Sequence, residues 1–117
     1  MVPEAKEFTS FKRWFKYYQD KFGLNGYNVY FVYEDDADCN YAYIITKHDK
    51  GVATVFLNSS LDKKHKYTGY IRETAKHEAL HLLLGRLSWW AKERYATDDA
   101  IDMACEELVV KLEKLLE

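Results

Sequence analysis

The sequence predicts an α+β fold: a helix, a small and mainly antiparallel sheet of three strands, then two more helices stacked on the sheet. Three observations lead there. Aromatic residues recur at spacings of three and four near the N-terminus, the period of an amphipathic helix. Three runs rich in β-branched and aromatic residues then follow one another across short turns. Beyond residue 68 the helical period returns twice, with no further strand-like run.

Residues 7–22, EFTSFKRWFKYYQDKF, bring Phe8, Phe11, Trp14, Phe15, Tyr18 and Phe22 to one side, and Gly23 ends the helix. The turn 23-GLNG-26 leads into YNVYFVYE (27–34), the first strand. An acidic turn, 34-EDDAD-38, precedes CNYAYIITK (39–47), the second strand, with Tyr41, Tyr43 and Ile45 on one face. The stretch 48-HDKG-51 reads as a hairpin turn into VATVFLN (52–58), so these two strands are expected to pair antiparallel. A polar loop over 58–69 opens a helix of roughly 69–87. A linker holding Trp89 and Trp90 and a last helix of roughly 98–116 complete the order.

The composition, 48% hydrophobic and 31% charged over 117 residues, describes one domain (1–117) able to bury a core. A net charge of −2 gives no electrostatic reason to expect a nucleic-acid partner. No run of 18 apolar residues and no signal-peptide pattern occurs, so we expect a cytoplasmic protein without a membrane partner. The two cysteines, Cys39 and Cys105, are far apart and read as reduced thiols. Ten tyrosines fit ring packing and surface tips.

One segment does not fit a plain structural domain. The helix 74-TAKHEALHLLLG-85 carries His77, Glu78 and His81 among Ala75, Ala79, Leu80 and Leu82–Leu84. Positions i and i+4 share a helix face, so His77 and His81 can aim ring nitrogens at one metal ion, at about 2.0–2.1 Å each for zinc. Glu78 lies roughly 100° around the helix, beside such an ion rather than on it. A carboxylate there can accept a proton from a water that the ion has made acidic. A single histidine on an apolar face is most often a boundary residue. A His-Glu-His set buried without purpose would be costly.

A catalytic zinc site takes three protein ligands. The pattern H-E-x-x-H-x-x-G-x-x-H would need glycine at 84 and histidine at 87, and both are leucine. No histidine follows His81, so a carboxylate from the last helix is the economical third ligand. That helix is expected to bury Ile101, Ala104, Cys105, Leu108, Leu112 and Leu115, with Met103, Val109 and Val110 widening its apolar sector. Glu106 is flanked by these apolar residues and is the preferred ligand. Glu107, which can pair with Lys111, comes next, and Asp102 and Asp99 follow. Tyr95 and His65 are candidates for stabilising an oxyanion, although a packing ring and a surface residue are the simpler readings. His48 reads as a turn residue.

With HEALH as its specific motif, the chain resembles a minimal zincin metallopeptidase of the kind often met in bacteriophage and prophage genomes. The resembling stretches are 53-ATVFLNSSL-61, 71-IRETAKHEALHLLLGRL-87 and 106-EELVVKLEKLL-116. A gluzincin-like resemblance implies His77, His81 and a downstream glutamate as zinc ligands and Glu78 as general acid/base, acting on a peptide or protein substrate. SprT-like proteins take a third histidine instead, which this chain lacks. The alternative is a zinc-bound regulatory or protein-interaction module with little proteolytic activity, in which Trp89 and Trp90 dock a partner.

Overall fold

The structure, a computed structural model, describes residues 4–35, 41–47, 50–60, 68–92 and 97–115; at 68, 86, 87, 89–91, 104, 107, 108, 111, 114 and 115 it describes the backbone alone. Its elements are α1 (Lys6–Lys21), β1 (Asn28–Glu34), β2 (Ala42–Lys47), β3 (Val52–Asn58), α2 (Thr68–Lys92) and α3 (Asp98–Leu115). This is the expected α+β order.

Helix α1 forms because its aromatic residues fall on one stripe. Phe11, Phe15 and Tyr18 are fully buried and Phe8 nearly so, each side chain contributing roughly 1.5–3 kcal/mol. The helix stops where the sequence says it should. Gly23 takes φ 72°, its N–H donates to Asp20 O, and Leu24 N–H donates to Gln19 O. Only glycine adopts that left-handed conformation without a Cβ penalty.

The sheet runs β1-β3-β2. The hairpin pair β2–β3 is antiparallel as expected, with Gly51 at φ 65° in its turn. The other pair, β1–β3, is parallel, so the sheet is mixed. β2 takes one side of β3 and leaves the other to β1. The central strand accordingly buries Ala53, Val55 and Leu57 completely. On β2, Ala42 and Ile44 pack against the core, and Tyr43 and Ile45 lie on the outer face, with Tyr43 stacked on Phe56 at 4.3 Å between ring centroids. Tyr41, expected on that face, precedes the strand and meets Tyr70 of α2 instead. Asn58 ends β3 by accepting a hydrogen bond from Ser60 N–H at 2.8 Å.

Helix α2 is the central element and touches α1, β2 and α3. Ile71, Ala75, Ala79 and Leu82 form its core stripe. The two alanines let α1 approach closely. On the α1 side, Phe31 of β1 meets Phe11 and Phe15 edge-on, at 6.3 and 5.5 Å. The linker expected around Trp89 and Trp90 is instead helical, since α2 continues to Lys92. No proline or glycine falls between Arg86 and Lys92 to stop it. Thr97 starts α3, its hydroxyl accepting from Ala100 N–H at 3.2 Å. In α3, Ile101 and Val109 are buried, whereas Met103, expected to widen the apolar sector, is exposed. Among the described residues no helix is long and apolar enough to cross a membrane.

Candidate metal centre

The centre lies where α2 faces α3. His77 and His81 stand one turn apart on α2 with their ring centroids 4.9 Å from each other. Glu106, reaching across from α3, meets both. Its Oε1 is 3.2 Å from His77 Nε2 and its Oε2 is 3.0 Å from His81 Nε2. One ligand atom from each of the three lies within 4.8 Å of the others. Zinc bonds of about 2.0–2.1 Å in a tetrahedron put neighbouring ligand atoms about 3.3 Å apart. The two N···O separations are a little shorter and run to different oxygens of Glu106, and two imidazoles with a carboxylate are donors zinc accepts. The residues therefore fit the ion.

A fourth residue, absent from the sequence reading, supports the first histidine. Glu113 sits two turns beyond Glu106 on α3, and its Oε2 is 2.9 Å from His77 Nδ1. An ionised carboxylate only accepts, so Nδ1–H donates to it. The Nε2 lone pair of a neutral His77 then points at the Glu106 oxygen. Two lone pairs at that separation repel unless a cation stands between them. The signal for Glu113 is a spacing of seven from Glu106, which returns to the same helix face after two turns. Glutamates at helical spacing are common on solvated faces, which hides it.

Electrostatics separate the residues into roles. Burial, followed by the neighbouring His77, pushes His81 below its usual histidine value and keeps its nitrogen lone pair available. Glu78 is only 5% exposed. Burial pushes its carboxyl up to about 7, with His77 opposing and the Glu106 and Glu113 charges adding to the rise. It makes no hydrogen bond with the described residues. Glu106 is half exposed, more open to solvent than its apolar neighbours suggest.

Among the alternative ligands, Asp102 is held by Lys92, whose Nζ is 3.0 Å from Oδ1. Asp99 is exposed on the first turn of α3. The structure brings neither to the histidines. The Glu107 side chain, the side chains of Trp89 and Trp90, and Tyr95, His65, His48 and Cys39 lie outside the described residues. Cys105 is a free, half-buried thiol.

Two cavities flank the centre along the edge strand β2. One, of about 310 Å³, reaches from His81 and Glu106 past Leu84 and Gly85 to Lys92 and Asp102, with Ile44 and Thr46 of β2 on its wall. The other, of about 510 Å³, opens beside His77, Glu78 and Glu113, next to Tyr41 and Ala42. Both volumes are in the range of small-ligand pockets. A search of known proteins finds no matching family model, no matching curated protein and no matching solved structure.

Proposed function

We propose that the chain is a zinc-dependent metallopeptidase of the minimal, gluzincin-like kind, cytoplasmic and of the type carried by bacteriophages. The observation that carries this reading is the convergence of His77 Nε2, His81 Nε2 and the Glu106 carboxylate, with the buried Glu78 directly beside them. A site that only held a metal for structure would have no use for a buried carboxyl next to it that bonds to none of the described residues.

Zinc, when bound, would polarise a carbonyl oxygen and bring the pKa of water to about 7. The chain supplies the rest. His77 and His81 present Nε2, and Glu113 fixes the His77 ring by accepting from Nδ1–H. Glu106 spans both nitrogens from the neighbouring helix. Glu78, with its carboxyl near 7 before a cation arrives, takes a proton from water and returns it to the leaving amine. A cation nearby favours the ionised, proton-accepting form. The peptide has room in the cavities on either side of the centre, along the edge strand β2.

Two measurements test this. Protein purified without added metal should carry one zinc per chain, and His77→Ala should carry none. Glu78→Gln should keep its zinc and lose hydrolysis by about 10²–10⁴-fold. Equal metal content in wild type and His77→Ala, or full activity in Glu78→Gln, would overturn the proposal. Zinc binding with no cleavage of any peptide would leave the regulatory module as the better reading.

A further inference from the structure

The two cavities beside the centre differ in chemistry. The one on the His81 side carries its own neutralised pair, Lys92 with Asp102 at 3.0 Å, over walls supplied by Ile44 and Leu84. The one on the His77 side is acidic and aromatic. Glu73, Glu78 and Glu113 line it, together with the rings of Tyr41 and Tyr70, which meet edge-on at 5.6 Å. We propose that this second cavity is a subsite for a lysine or arginine side chain of a peptide substrate.

The argument rests on charge, on burial and on ring geometry. The carboxylates of Glu73, Glu78 and Glu113 line the cavity, and that of Glu106 stands in the neighbouring centre against His77. Among the described residues the cation paired with them is Lys76, whose Nζ is 3.1 Å from Glu73. With Glu78 ionised, these described groups and a divalent ion in the neighbouring centre would together carry one negative charge. Glu78 is 95% withdrawn from solvent, lines the cavity and has no hydrogen-bond partner among the described residues. A buried carboxylate in that state is stabilised by a cation brought close to it. The tyrosine rings add faces that attract ammonium and guanidinium groups and cover the apolar stem of a long basic side chain. An acidic substrate side chain meets only repulsion here. A small apolar one leaves the carboxylates unanswered.

The inference rests on the peptidase reading, and the experiment separates the two. Peptides with a non-cleavable ketomethylene at their central bond, and Lys, Arg, Leu or Glu scanned through the flanking positions, are titrated by fluorescence anisotropy against the zinc-loaded full chain. Lys or Arg at one position should bind about tenfold more tightly than Leu, and Glu more weakly than Leu. Glu73→Arg should abolish or invert that preference and Tyr41→Leu should reduce it, with zinc content unchanged in both. Tyr41 lies at the exposed sheet edge, so its variant keeps the test available if Glu73→Arg fails to fold. A preference for Leu or Glu at every position, an undiminished basic preference in the variants, or no binding at all would overturn the subsite. Basic peptides that bind selectively while their natural amides stay uncut would sink the hydrolytic reading and leave the subsite standing. Amides cut without basic preference would do the reverse.

Discussion

Glu78 contributes to the pH response of the metal-free protein. Its carboxyl is pushed up from an ordinary 4.5 to about 7 in the fold. Between those values the folded state holds a proton that the unfolded chain has released, so stability falls as pH rises from about 4.5 through about 7. His81, pushed down from 6.5, acts in the opposite sense below its unfolded value, so the difference between wild type and Glu78→Gln isolates the glutamate. Urea unfolding of both metal-free proteins at pH 5 and pH 8 should show wild type losing on the order of a few kcal/mol more than the variant across that interval. Equal losses would mean that Glu78 is not buried as described. The ligands can be ranked by zinc affinity. Glu106→Ala should weaken binding strongly and Glu107→Ala little. Glu113→Ala should cost about 10–100-fold, as losing an outer carboxylate from a metal-bound histidine does. Glu113→Gln keeps an acceptor oxygen for Nδ1–H and should lose less. An unchanged affinity in Glu113→Ala would reduce its contact with His77 to packing. The sequence made the histidines and Glu78 legible because i, i+4 spacing is local geometry. Glu113 was hidden because its importance comes from how α3 docks on α2, which no local pattern encodes.

At the scale of elements, α1 was legible for a related reason: its aromatic stripe and Gly23 are local signals that the fold obeys. The hairpin β2–β3 was equally readable from 48-HDKG-51 and its flanking runs. The parallel pairing of β1 with β3 was not, because which edge of a strand is taken depends on distant chain. The length of α2 was also misjudged: with no proline or glycine between Arg86 and Lys92 to stop it, the helix runs on to Lys92. The interface of α1 with α2 and the sheet should dominate stability. Phe15 is fully buried, meets Phe31 edge-on at 5.5 Å and belongs to the same core as Ala75 and Ala79. Phe15→Ala should cost roughly 3–5 kcal/mol in chemical denaturation, whereas Lys92→Ala, which removes an ion pair with both side chains more than a third exposed, should cost under about 1 kcal/mol. Comparable losses from the two would place the main core elsewhere.

Across the whole molecule, the proposed ion would join α2 to α3. α3 places Ile101 and Val109 in buried positions, and Glu106 and Glu113 reach from it to His77 and His81. The unfolded chain offers the same donors without their geometry, so zinc held at the proposed site would bind the folded state preferentially. The stabilisation then follows mass action, about 2.7 kcal/mol when free zinc is one hundred times the dissociation constant. For a chain of this size that corresponds to a rise in melting temperature of roughly 10 °C. Thermal unfolding should therefore shift upward with added zinc and return on chelation. Glu106→Ala and His81→Ala should flatten the dependence, because each removes a donor from the set that spans α2 and α3. Phe15→Ala should lower the melting temperature at every zinc concentration and keep the shift, since its site is on the far side of α2 from α3. A shift that survives in Glu106→Ala and His81→Ala alike would place the ion somewhere other than between these helices.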